Sequence, residues 1–343
     1  MTRQARKPWM DCVRGIAIVL VVLGHMNQAQ SALNTWIYSF HMPVFFVLSG
    51  MLIAMRDPDA EKPLGRVLLA RARQLLYPYL TFSALVVIYY LLRSKPDYAL
   101  KVLGYTVVLE GYNALWFLPA LLMAECMLRV LLRSRVPNLL GTTVIAAGTS
   151  VYAALQDYVI GGAIPAQEGL HYLVLNGLCR AGIGFVFMMA GYQGYLRRHA
   201  LAHWTAGRLR ALCCLALALG AALGMLNGKT DLHYCVQMNP ILYYLSALLQ
   251  CGALIVLFAY AARTHRALEF FGKNSLIVMA THYPLPLVDL MQWLIRRLGA
   301  GSGSVDALIG CAAVMAIEAG IILLVNRRLP FLLRLPAGKG RAR

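Results

Sequence analysis

Asp11, Arg14 and His25 fall on one stripe of the first apolar segment, DCVRGIAIVLVVLGH. At about 100° per residue, the eleven steps from Arg14 to His25 make three turns plus about 20°, so both side chains leave one face roughly 16 Å apart along the axis. Asp11, three residues before Arg14, is placed to orient its guanidinium. An arginine facing lipid at a helix centre costs roughly 2.5–3.5 kcal/mol, so such a residue persists by facing protein or a wet cavity. A neutral histidine in that setting can act as a general base or as a nucleophile. The competing reading is that Arg14 snorkels to cytoplasmic phosphate while His25 sits at the opposite interface. A second histidine, His41, stands two residues before Pro43 in WIYSFHMPVFFVLSG. If the first two helices form a hairpin closed by residues 28–35, His25 and His41 both lie near its outer half and can face one pocket; otherwise His41 is an interfacial hydrogen-bonding residue.

Other polar groups sit inside apolar runs. Glu125 and Arg129 are spaced i,i+4 in the order that favours a local ion pair. Arg180 and Glu318 have no partner nearby in sequence and stand as candidate functional groups. In GKNSL, Asn274 or Ser275 can cap a helix that carries His282, a candidate acceptor-binding residue. Trp116 and Tyr112, at an outer helix end, can stack on a sugar ring or belong to an aromatic belt. The eight cysteines fall mostly in apolar runs without a CxxC, which suits small core residues in a reduced setting and neither disulfides nor a metal site.

The elements that must position these groups follow from composition. Apolar residues make up 60% of the 343 and charged residues 13%, with a mean hydropathy of +0.63. Soluble chains have roughly 45–50% and 25%, so this is an all-α polytopic membrane bundle. Apolar stretches at 13–28, 36–54, 77–92, 114–132, 139–155, 174–195, 210–226, 240–262, 275–295 and 305–326 each approach the ~20 residues that cross hydrocarbon, which gives ten spans with both termini on one side.

The net charge of +18 suggests nucleic acid, but the cations cluster in alternate loops. Arg56, Lys62, Arg66, Arg71 and Arg73 share one loop, Arg129, Arg133 and Arg135 another, and Arg327, Arg328, Arg334, Lys339, Arg341 and Arg343 the C-terminal end. This positive-inside asymmetry puts both termini in the cytoplasm and makes the basic excess a topology signal, with anionic lipid and phosphate-bearing substrates as secondary attractions. The basic start and AQSA at 29–32 imitate a signal peptide, but cleavage there would leave an odd number of spans and spoil the alternation. Residues 1–343 read as one integral domain with short basic tails, 1–10 and 327–343. From Leu64 the first internal loop reads as a basic helix leading to Pro78.

Residues D-x-x-R-G-(x)9-H followed by FHMP-x-FF-x-x-SG, then RVLLARARQLLYPY, LWFLPALLMAE, YYLSALL and FFGKNSLIVMATH, occur here in order along nearly the whole chain. In them the chain resembles the integral-membrane acyltransferase-3 family, in particular its sugar O-acetyltransferase branch. The resemblance implies ten core spans in a membrane, a bacterial cytoplasmic one, and transfer of an acyl group, commonly acetyl from acetyl-CoA, to a hydroxyl of a sugar or glycan that can be lipid-linked. It places the essential histidine on His25 and its paired arginine on Arg14. The family's R-x-x-R pair before the third helix is matched only by Arg71-Ala-Arg73 with Arg66 upstream. The fused SGNH-type domain of some relatives has no counterpart here, which implies that transfer is completed within the membrane domain or handed to a separate protein.

The chemistry agrees. Coenzyme A brings several phosphate charges from the cytosol, and guanidinium groups bind phosphate bidentately, so Arg66, Arg71 and Arg73 are candidate donor-binding residues. Arg14 can bind the thioester oxygen or the pantetheine-phosphate end. His25 can take the proton of the attacking hydroxyl or carry the acyl group itself. The main alternative is a transporter of a glycan or small solute, although paired broken helices in two halves are not evident. Another is a membrane acyltransferase built on a single later histidine, His171 or His282. No HxxxxD box is present.

Overall fold

The computed structural model describes residues 7–26, 31–55, 62–160, 169–201, 203–297 and 303–333. Residues 28–30 of the expected hairpin closure, the start and end of the tails, Arg56 and part of the outer segment 156–173 lie outside the described residues, as does the side chain of His171. Everything of length is helical: α1 Pro8–Met26, α2 Ala32–Tyr38, α3 His41–Met55, α4 Leu64–Leu92, α5 Pro96–Val107, α6 Phe117–Arg133, α7 Asn138–Ile160, α8 Leu170–Leu196, α9 Ala206–Asn227, α10 Pro240–Val256, α11 Arg266–Lys273, α12 Ser275–Thr281, α13 Leu287–Arg297 and α14 Ser304–Arg328. The described residues contain no β-strand beyond an isolated Asp231–Val236 bridge. Among them nine helices, counting α2 with α3, are long and apolar enough to cross a membrane, so the chain is a multi-pass membrane protein.

Three expected elements come out differently. The basic helix from Leu64 and the span at 77–92 are one 29-residue helix, α4, running through Pro78. The span at 36–54 is interrupted at Ser39–Phe40. Pro43 supplies the reason, because it has no N–H to give the carbonyl of Ser39 four residues back. The span at 275–295 is not one helix. It breaks at His282–Pro286 into α12 and α13, where Pro284 and Pro286 cannot donate, and the amide of Val288 reaches back to the His282 carbonyl at 3.1 Å. Asn274 stands at the N-cap of α12, yet its side chain bonds Phe270 O (2.7 Å) and Asn326 (2.8 Å) and caps nothing.

The segmented run α11–α12–α13 follows α1 along its length. At one end Gly15 and Gly272 let the α1 and α11 backbones touch: a Cβ on Gly15 would collide with the Leu268 carbonyl, and one on Gly272 with the Asp11 carbonyl. At the other end the amide of Gln292 donates to the carbonyls of His25 (3.0 Å) and Met26 (3.3 Å), the last of α1. The second seam is α3 against α8, where Gly50 and Gly191 each face the opposite backbone. Around these seams Val22, Val44, Phe46, Leu48, Phe185, Phe187 and Met188 form the buried core.

Candidate active site

Two cavities lie one beyond the other along α1. The inner one, about 650 Å³, is lined by Lys7, Asp11 and Arg14 of α1 and its approach, Arg71 and Gln74 of α4, Glu125 and Arg129 of α6, and Lys273 and Ser275 at the α11–α12 junction. Arg14 pairs with Asp11 at 3.6 Å. Glu125, 1% exposed, is shared by two guanidinium groups: Arg71 holds both of its oxygens (2.7–2.9 Å) and Arg129 holds Oε1 (2.8 and 2.9 Å). Arg71 also donates to Gln74. The expected local Glu125–Arg129 pair is therefore the core of a triad in which one carboxylate serves two cations. The cavity wall there carries guanidinium groups, which suit an anionic ligand.

The outer cavity, about 720 Å³, is lined by His25, Asn34, Tyr38, His41, Asn113, Trp116, Lys229, Asp231, His233 and Tyr283. The His25 ring stacks on Tyr283 (centroids 4.4 Å, interplanar angle 15°) and stands 5.2 Å from the ring of His282. His41 Nδ1 lies 2.8 Å from the Ile37 carbonyl, which fixes its proton on Nδ1 and leaves Nε2 as an acceptor. The edge of Tyr38 meets the His41 ring at 4.9 Å. Met279 lines both cavities, so the α12 segment forms the partition between them.

The rim of the outer cavity is held by a buried ion pair. Arg180, 1% exposed, donates to Glu110 Oε1 at 2.6 Å, to the Glu110 carbonyl at 3.2 Å and to the His233 carbonyl at 2.5 Å. Its guanidinium lies 5.4 Å from the Trp116 ring, which stacks on His233 (5.4 Å, 11°). Burial pushes the Glu110 carboxyl upward against the pull of Arg180. Burial also lifts Asp231 to about 6, opposed by the backbone amides of His233 and Tyr234 and by Arg180; His233 is held well below its ordinary value by burial, then by Arg180 and His25. At neutral pH the loop therefore presents an anionic Asp231 and a neutral His233.

Of the residues singled out by sequence, His25, His41 and Trp116 meet in the outer cavity, and Asp11, Arg14 and Arg71 in the inner one. Arg66 and Arg73 are exposed on α4 and line neither. His282 is fully buried behind His25 and lines neither cavity. Glu318 has a partner after all, the hydroxyl of Thr281, 2.8 and 2.9 Å from its two oxygens. Sequence reasoning missed Tyr38, Asp231, His233, Tyr283 and the Glu110–Arg180 pair. Asp231 and His233 sit in a connection without periodicity, and Glu110 is 70 positions from Arg180; only Tyr283 carried a local signal, its place beside Pro284. Among the described residues no group of three His, Cys, Asp or Glu side chains is placed to hold a metal ion.

Nodulation protein NolL of Sinorhizobium fredii (strain NBRC 101917 / NGR234) is 41% identical over 86 residues, 22% of this chain and 23% of that protein. Nodulation protein NolL of Mesorhizobium japonicum is 31% identical over 134 residues, 35% of each. The matched stretches thus span about a quarter to a third of these relatives. No solved structure matches. The acyltransferase-3 family, described as an acyltransferase domain, matches residues 7–323, nearly the whole membrane bundle, and the chain belongs to that family.

Proposed function

We propose that the protein moves acetyl from acetyl-CoA to a hydroxyl of a sugar or glycan, free or lipid-linked, with the donor in the inner cavity and the acceptor in the outer one. The observation that carries this reading is the meeting of the two cavities at Met279, with guanidinium groups on one side and His25 on the other. Arg71 and Arg129 face the donor phosphates. Asp11 orients Arg14 toward the pantetheine arm. The thioester passes Met279 to reach His25, as a cytosolic donor and a base in the outer half require. There the acceptor oxygen attacks the carbonyl carbon, forming a C–O bond while the C–S bond breaks; His25 takes the hydroxyl proton and returns it to the departing thiolate. His41 Nε2, Asn34, Asp231 and the rim of Trp116 offer hydrogen bonds and apolar surface to a carbohydrate. Residues 1–343 work as one domain of a bacterial cytoplasmic membrane, with both basic tails inside.

The test is release of CoA thiol from acetyl-CoA by the purified protein with pooled glycan acceptors, beside His25→Ala. Acceptor-dependent release that the variant lacks supports the reading. Labelled acetyl retained on the protein through His25 replaces direct transfer with a covalent relay. Neither release nor labelling in folded protein moves the assignment to a transporter.

A further inference from the structure

A histidine acting as base with one ring nitrogen needs its other nitrogen held, or the ring spends part of its time in the wrong tautomer. Among the described residues neither nitrogen of the His25 ring bonds to protein, and no carboxylate is hydrogen-bonded to it. Asp231 accepts from the backbone N–H of His233 at 2.8 Å, and Glu318 is joined to Thr281. His282 is different. It is 0% exposed, and its Nδ1 lies 2.6 Å from the Val278 carbonyl. A carbonyl can only accept, so Nδ1 carries the proton and the neutral ring keeps a lone pair on Nε2. Among the described residues that buried Nε2 has no hydrogen-bond partner, and an orphaned polar atom in so apolar a place calls for an explanation.

The spacing supplies one. A ring nitrogen stands roughly 1.1 Å from its centroid, so a bond of about 2.9 Å between two imidazole nitrogens puts the centroids about 5 Å apart. The His25 and His282 centroids are 5.2 Å apart with planes inclined at 46°. That spacing suits such a bond once the His25 ring is turned to face Nε2. His282 keeps helical backbone at the end of α12, its amide bonding the Val278 carbonyl at 2.9 Å, and Thr281 beside it is anchored through Glu318 to α14.

We propose that His282 is the positioning residue for His25: its Nε2 accepts the N–H of the His25 nitrogen turned away from the substrate, so that the other nitrogen always faces the acceptor hydroxyl as a base. This rests on His25 being the base of the proposed transfer. His282 loses and gains no proton in the cycle; the hydroxyl proton passes to His25 and then to the CoA thiolate.

Acceptor-dependent CoA release by the full chain in nanodiscs, with wild type, His282→Phe, His282→Asn and His282→Gln compared, tests it. Gln carries its amide oxygen to about the place of Nε2. Asn reaches only the place of Nδ1, so it keeps a bond to Val278 and offers nothing to His25. Expected is a fall in kcat of about 100-fold for Phe and for Asn, within the range for losing a positioned acid–base partner, with KM for donor and acceptor within about twofold of wild type. Gln should recover at least tenfold of the loss. If Phe does not fold, the Asn and Gln pair decides alone. Wild-type kcat in Asn, or Gln no faster than Asn with KM moving as much as kcat, overturns the inference and reduces His282 to packing. Activity in the wild type with unaffected variants sinks this inference only, whereas no acceptor-dependent release in folded wild type sinks the transferase reading and this one together.

Discussion

The two cavities are similar in size and lie along the same helix, yet they are built from different materials. Among the described residues the inner one collects Lys7, Arg14, Arg71, Arg129 and Lys273 with the carboxylates Asp11 and Glu125. Among the described residues the outer one has a single lysine, Lys229, and a single carboxylate, Asp231, with histidines, tyrosines, amides and Trp116. Phosphate is bound by charge, which acts over distance and tolerates some slack in the partners. Transfer of a proton and an acyl group needs rings held in one orientation, and stacking and backbone hydrogen bonds do that. The separation lets each end be tuned without disturbing the other, and Met279 is where they communicate.

That division can be broken on purpose. His25→Ala should remove about 10³-fold or more of kcat, in the range for loss of a general base, while binding of CoA measured by calorimetry is unchanged; weakened CoA binding would mean the cavities are not separate. Met279→Trp should fill the partition and cost about 100-fold in kcat by holding the thioester short of the base, again with CoA binding retained. Arg71→Ala should raise the donor KM by about tenfold or more, the worth of a charge-assisted hydrogen bond, with kcat nearly unchanged at saturation and the defect growing with salt. Arg66→Ala and Arg73→Ala, exposed and off the cavity, should each change KM less than about twofold. The smallest effect is one of pH. The Asp231 carboxyl sits near 6 against an ordinary 3.8, so the proton favours the folded protein. Its stabilisation is complete below the ordinary value and is lost as pH rises through about 6. Melting curves from pH 4 to 8 should show wild type losing ground to Asp231→Asn across that window, and parallel curves would mean the carboxyl is not strained.

The stripe on α1 was legible because helical phase is local: Asp11, Arg14 and His25 needed no tertiary information. Phase also held a clue about the basic helix, since Arg71 and Arg73, two residues apart, point about 200° from each other and cannot share a pocket. Which of them faces inward depends on where Glu125 of α6 lies, and that is a matter of packing. Hydropathy located the spans, but an average over 275–295 hid Pro284 and Pro286, whose missing donors break the helix just after His282. The rim was illegible for a different reason. Glu110, Arg180 and His233 come from three separate parts of the chain, and nothing in any one of them names the others.

The grip of Gln292 on the last carbonyls of α1 has a mechanical meaning. Leaving a buried carbonyl bare costs about 1–3 kcal/mol. The height of the His25 ring is therefore read off α13 as a weight is read off a plumb line. A substitution on the lipid-facing side of α13, touching neither substrate, can still detune the base.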